Sequence, residues 1–375
     1  MKGAWFVAAV TAALAGCTAS KPSSDTADAD TGSSPSAPDD AVEATTMAFA
    51  STDYTVTSLG TLDLATRALA DGLAALPGDA VVKRLPDGRV YNLNRFGYDV
   101  IRAYEPGNWG SPVFEVSVGD GTANPHDIVL CNGELWVGLY GSNSLLVMNP
   151  DTGAIVNGVD LSEYARGDDI AEFDALYCRE DRVIAVAQQL DPATFRSEGG
   201  SVVVVDADTK RATNSFDVRP HPQTHPPPTN PDALIVFSGH YGEGDGAITT
   251  VDLATGIESE PLAYEADHGI TFSAFAAHDG HAVIMGTTLD YTATKVLCAD
   301  LDAWELVERY AISAYTGSMT GGPNGTAWIG MPTRYTEDEP GIESPPGLQA
   351  FDIAECRPDG AQIDTALAPS SMTFY

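Results

Sequence analysis

Short apolar runs, many alternating with polar residues, follow one another along most of the chain, separated by clusters of Asp, Asn, Thr, Gly and Pro, with no strong helical stretch between them. One punctuation recurs. Asp63-Leu64-Ala65-Thr66-Arg67, Asn149-Pro150-Asp151-Thr152-Gly153, Asp206-Ala207-Asp208-Thr209-Lys210 and Asp252-Leu253-Ala254-Thr255-Gly256 each close an alternating Val/Leu/Ile segment, and Asp300 and Asp352 mark weaker copies. These residue types suit a hairpin turn, because their side chains bond the local backbone or tolerate positive φ. From Asn149 onward the intervals are 57, 46, 48 and 52 residues, and the 86 residues between Asp63 and Asn149 hold two units, the gap passing through Glu105-Pro106-Gly107, so seven units result.

Four short strands per unit at this period predict the blades of a β-propeller. Met47–Leu73 begins with a strand that reads as a blade's second (Ala48–Tyr54), and Pro369–Tyr375 reads as a first strand with nothing after it. The expected fold is therefore all-β: a seven-bladed β-propeller over 47–375 with one blade closed by both termini, which removes an open sheet edge. First strands are expected at Ala80–Leu85, Ile128–Cys131, Ala175–Cys178, Ala233–Phe237, Phe272–Ala277, Met319–Gly322 and Ser371–Tyr375.

The N-terminus follows a different pattern. Lys2, the apolar or small run Ala4–Ala15 and Leu14-Ala15-Gly16-Cys17 have the layout of a signal peptide over 1–16, too short to span a bilayer. Leu-Ala-Gly before Cys17 resembles the lipobox of bacterial lipoproteins, and this resemblance implies a diacylglycerol- and palmitate-bearing Cys17 as the mature first residue. The implied location is the cell envelope, anchored to a membrane and sorted to the outer membrane. Residues 17–46 are rich in Ser, Thr, Ala, Pro and Asp, which cannot bury enough apolar surface to order themselves, and read as an acidic tether.

Arg89-Val90-Tyr91-Asn92-Leu93-Asn94-Arg95-Phe96-Gly97, Glu134-Leu135-Trp136-Val137-Gly138-Leu139-Tyr140-Gly141 and the segment Ser144–Gly153 resemble the second-strand signature and following turn of YVTN-type propellers. The likeness is nearest to lipid-anchored propellers of myxobacteria and their relatives. It implies a fold and carries no catalytic residue onto this chain. The five Trp lack the repeat of quinone-dependent propeller enzymes.

Composition narrows the partners. With 53 acidic and 19 basic side chains the formal charge is −34, which argues against nucleic acid, whose phosphates require clustered Lys and Arg. A monomer that meets a protein or a small molecule is expected. Four Cys beyond Cys17 in an exported chain favour disulfides, Cys131 with Cys178 and Cys298 with Cys356. His221 and His225 stand among Pro220, Pro222, Pro226, Pro227 and Pro228, which predicts an extended surface loop more than a metal pair. His268, His278 and His281 suggest no metal either. No nucleophile-elbow or phosphate-loop motif occurs.

Two candidate sites remain. Asp79, Asp127, Asp174 and Asp232 each precede an expected first strand, with His126 and Glu172 beside them. An arc of carboxylates around the axis would hold calcium or another divalent cation, although such residues also serve simply to bond turn amides. No cofactor is required otherwise. The second site is the set of loops joining second to third strands, with Tyr54, Arg95, Tyr140, Gln189, His240 and Arg334 as candidate ligand-binding residues. The function expected is a lipid-anchored extracytoplasmic binding or scaffolding module. The alternative is a metal-dependent hydrolase or lactonase working in the central channel.

Overall fold

The computed structural model describes residues 44–375 apart from 167, 192–193, 195, 198, 228–229 and 336–341. The expected signal peptide, Cys17 and most of the tether lie outside the described residues.

The strands form seven blades. In the first, Ala368–Phe374 supplies the innermost strand, followed outward by Thr46–Thr52, Val56–Asp63 and Leu69–Pro77. Its closing register pairs Met47 with Phe374 and Phe49 with Met372, so the two ends of the chain share one ladder, as the sequence predicts. Blade two comprises Ala80–Arg84, Val90–Asn94, Val100–Tyr104 and Phe114–Ser117. Blade three comprises Pro125–Cys131, Glu134–Leu139, Ser144–Met148 and Ile155–Asp160. The fourth runs Phe173–Arg179, Arg182–Ala187, Gly200–Asp206 and Arg211–Val218. The sixth runs Ile270–His278, His281–Thr288, Thr294–Asp300 and Leu306–Ile312. In the seventh, Met319–Gly321, Thr326–Met331 and Gly347–Asp352 carry two short outer pieces, and a ribbon of Arg334–Tyr335 with Ile342–Ser344 is inserted between its second and third strands.

Blade five corrects one expectation. Its innermost strand is Gln223–His225, and Ala233–Phe237 is its second strand, followed by Ala247–Asp252 and Ala263–Tyr264. Prolines flank a pairing segment only three residues long, so the period-two apolar signal that marks the other first strands is missing. The histidine segment is accordingly no surface loop, since His221 and His225 are both buried.

The recurrent turn joins third to fourth strands. Its Asp or Asn Oδ1 accepts the amide and the hydroxyl of the Thr three residues on: 2.7 and 2.6 Å at Asp63, 3.0 and 3.0 Å at Asn149, 2.7 and 2.6 Å at Asp206, 2.8 and 2.8 Å at Asp252. The fifth residue is always left-handed: Arg67, Gly153, Lys210 and Gly256 have φ between 55° and 69°.

Seven apolar clusters hold the ring, one between each pair of neighbouring blades. Trp136 fills the contact of blades three and four, and Trp328 packs with Phe49 and Met47 where blade seven meets blade one. Each fully buried large side chain stabilises by roughly 1.5–3 kcal/mol before entropy is counted. Both predicted disulfides are present: Cys131–Cys178 joins blades three and four at a Cα separation of 5.4 Å, and Cys298–Cys356 joins blades six and seven at 6.1 Å. Among the described residues no helix is long and apolar enough to cross a membrane.

Candidate functional site

An inner strand has one unpaired edge facing the axis, and its amides must find partners elsewhere. Here side chains of adjoining blades supply them. Ser371 Oγ accepts Val82 N–H at 3.0 Å, and Thr373 Oγ1 accepts Arg84 N–H at 2.9 Å. Asp127 accepts Ile128 N–H at 2.8 Å, Leu176 N–H at 2.7 Å and Lys83 Nζ at 2.7 Å, with the Lys83 and Asp127 side chains 3% and 1% exposed. Tyr177 donates its hydroxyl to Thr224 O at 2.6 Å, and burial pushes that phenol far above its usual range. His225 packs on Phe237 and Phe275, and burial pulls its ring down to about 4, so it is neutral. Buried polar and aromatic side chains thus link the innermost strands of blades one to six to their neighbours.

The starts of the first strands and the loops joining second to third strands share one face, termed the top face. Of the predicted arc, Asp79, Asp127 and Asp174 are on this side. Asp232 is not: it precedes a second strand, is exposed, and lies on the opposite face. It lies there because Ala233–Phe237 is the second strand of blade five and runs toward the top face. Asp79 forms an ion pair with Arg95, whose Nη1 lies 3.3 Å from His126 Nε2, and His126 Nδ1 lies 3.1 Å from Asp174 Oδ1. Because a guanidinium can only donate, His126 Nε2 is the acceptor and Nδ1–H points to Asp174. Tyr140 stacks on that ring at 4.2 Å and donates its hydroxyl to Gln188 Oε1 at 2.7 Å. Glu172 Oε2 accepts Leu190 N–H at 2.9 Å, and Gln189 Nε2 donates to Tyr164 O at 2.6 Å and Ser201 Oγ at 3.0 Å. Arg95, Tyr140 and Gln189 thus brace the mouth between blades two, three and four.

The rim above them is apolar and exposed. Tyr54 is 61% exposed, Phe96 46%, Tyr98 45% and Tyr291 45%, all in loops joining second to third strands. Tyr54, Phe96 and Tyr291 also have φ of 65°, 40° and 59°, a left-handed conformation that bulky residues rarely adopt. Arg334 is half-buried in the inserted ribbon of blade seven.

His240 belongs to a surface cluster. His240, Glu243 and Asp245 bring one ligand atom each to within 4.8 Å of one another, a donor set that could coordinate a divalent cation. The same groups also satisfy one another: His240 Nδ1 bonds Asp245 Oδ2 at 2.8 Å, His240 Nε2 bonds Ser197 O at 3.0 Å, and Glu243 pairs with Arg196. Burial pushes the Asp245 carboxyl up, but the hydrogen bonds from His240 outweigh it and leave the group below the usual carboxylate range.

A last feature had no sequence signal. Between blades five and six a cleft is lined by His221, Gln223, Tyr241, Glu265, Thr271 and Phe272. Glu265 opens a single helical turn, Glu265–His268, directly after the weak outer strand of blade five. It is 1% exposed and accepts Phe272 N–H at 2.8 Å and Gly246 N–H at 3.1 Å. Burial dominates over these bonds and pushes the carboxyl up to about 8. Nothing in its neighbourhood, Ala263-Tyr264-Glu265-Ala266-Asp267, distinguishes it from a surface acid.

No family model matches the chain, and no curated protein does. Solved structures are similar in fold. A protein from Lactobacillus plantarum is 15% identical with a TM-score of 0.63, over 88% of this chain and 99% of that one. A candidate 6-phosphogluconolactonase from Bacteroides fragilis is 12% identical with a TM-score of 0.59, over 90% and 100%. A dihydro-heme d1 dehydrogenase is 13% identical with a TM-score of 0.55, over 90% and 77%. At such identities the likeness establishes the β-propeller fold and leaves ligand and chemistry to be argued from this chain's own residues.

Proposed function

We propose that this chain is a lipid-anchored, extracytoplasmic propeller of the YVTN type that binds its ligand on the top face. One observation carries the reading: exposed Tyr54, Phe96 and Tyr291 occupy the same face in a backbone conformation where Asn or Gly would be easier. Such strain, of order 1 kcal/mol per residue, is characteristic of functional surfaces. Aromatic side chains offer large contact area at low entropic cost. The axis supports a scaffold role, because Lys83, Asp127 and Tyr177 are committed to bonds between blades. Cys17, through its acyl chains, would hold the module at the outer membrane, with the tether keeping the top face clear of the lipid.

The test compares capture of envelope components by immobilised full-length protein. Substituting Tyr54, Phe96 and Tyr291 with Ser should abolish capture of the specific partner, while Ile155→Ser with Ile257→Ser, exposed apolar residues outside the top-face loops, should leave it intact. Equal capture by both variants would refute the top-face reading. Divalent-dependent lactone turnover, lost in Asp174→Asn, would establish the hydrolase instead.

A further inference from the structure

We infer that the cleft between blades five and six, where Gln223 Oε1, the Glu265 carboxyl and the rings of Tyr241 and Phe272 converge, is a subsite for a primary ammonium group. The inference rests on the top face being the binding surface and names what that surface recognises. Gln223 is buried, and its Nε2 is committed to the Tyr241 hydroxyl, which leaves Oε1 without a donor among the described residues. Each Glu265 oxygen accepts one backbone amide and retains a further lone pair. With Glu265 ionised, the cleft presents only acceptors, and a ligand must bring the donors. Two aromatic rings on its walls favour a cation over a neutral donor, as does a chain of net charge −34.

Size narrows the choice further. The water-sized space within the half-open cleft is about 10 Å³, room for about one water molecule, which suits a compact ammonium head better than a planar guanidinium. Gly246 is part of the construction: a Cβ there would lie 1.8 Å from Ser238 O and 2.6 Å from Glu265 Cδ, so only glycine lets the carboxyl reach the loop. A lysine side chain of a partner and a free small amine carry the same head group.

Glu265 also couples binding to protons. Burial holds its carboxyl neutral until about pH 8, and an ammonium ion beside it favours the ionised form. The other titratable groups around it are His221 and Tyr241 from blade five, His240 and Asp245 from the adjoining loop, and Tyr291 from blade six, whose phenol is raised by burial and by Glu265. Affinity for an amine that stays protonated should therefore rise from pH 6 to pH 9.

Titration of the intact chain with methylammonium, followed by calorimetry or by NMR of the Tyr241 and Phe272 rings, tests this at pH 8.5. The wild type should bind, and Glu265→Gln and Gln223→Leu should each weaken binding by about tenfold or more. Tetramethylammonium, with no N–H to donate, should not compete. Nα-acetyl-lysine methylamide should bind where its Nε-acetylated form does not, if a lysine is the source. Binding of methylammonium alone would point to a free amine. Near-ultraviolet circular dichroism confirms that each variant is folded, and Gln223→Leu keeps the test valid if Glu265→Gln is not. No binding by the wild type, or equal binding by wild type and both variants, overturns the subsite. Phe96→Ser lies outside the cleft and should bind methylammonium normally, so loss of partner capture in that variant alone speaks to the top-face reading and not to the cleft.

Discussion

Replacing Glu265 by Gln should change how stability depends on pH. The carboxyl is 1% exposed and sits at about 8 in the folded chain, against an ordinary 4.5. Between those values the native state keeps a proton that the unfolded state has released, so unfolding becomes easier as pH rises. The group's contribution is fully present below pH 4.5 and is lost as pH climbs through 8. At about 1.4 kcal/mol per pH unit the wild type should lose roughly 3–5 kcal/mol over that window relative to a side chain that cannot ionise. Gln occupies the same volume but turns an NH2 toward one of the two amides of Phe272 and Gly246, at a pH-independent cost of roughly 1–3 kcal/mol. Urea unfolding of the oxidised protein at pH 5, 7 and 9 measures both, and the difference between the two proteins cancels every other titration. Glu265→Gln should be the less stable protein at pH 5 and the more stable at pH 9. A difference constant across that range would show that Glu265 titrates as a solvated acid and that the cleft is open to water.

Lys83→Met should cost roughly 3–5 kcal/mol in urea unfolding, because it strands the buried Asp127 carboxylate; a loss below about 1 kcal/mol would mean that water reaches the pair. The His225 ring should show no NMR titration from pH 8 to pH 5 and begin to shift only near 4, with stability falling as acid forces the charge on; a midpoint near 6.5 would refute its burial. Cys131→Ser with Cys178→Ser releases a separation of 47 residues and should lower stability by roughly 3–4 kcal/mol, while four alkylatable thiols in the native protein would show that neither bridge forms. Membrane-extracted protein should have the mass of a chain starting at Cys17 plus its acyl groups, and an unmodified chain cut elsewhere would exclude the anchor.

The fold was legible where the local rule and the tertiary role coincide. The Asp-x-x-Thr turns stabilise themselves through bonds within a few residues, so their period showed in the sequence and gave the blade count. The closure of blade one followed from chain ends that each held part of a blade. Blade five departs from its expected strand order because Gln223–His225 is polar by composition and buried only through neighbouring blades, a property that no local pattern encodes. The same reason hid Lys83 and Glu265, whose partners lie up to 44 residues away or depend on a burial set by another sheet. Asp127 was identified as special, and its role is inter-blade: its oxygens bond Lys83, Ile128 and Leu176. The exposed aromatic loops show in the composition, whereas the left-handed backbone at Tyr54, Phe96 and Tyr291 has no signature in residue type, since bulky residues rarely adopt it.

The most direct test places a photo-crosslinking residue at 96 or 291 on the top face, and at 155 or 257 away from it, in the full-length protein within the producing cell. Adducts of one defined partner from positions 96 and 291, and none from 155 and 257, are the predicted result. Adducts confined to 155 and 257 would contradict the assignment of the top face as the binding surface.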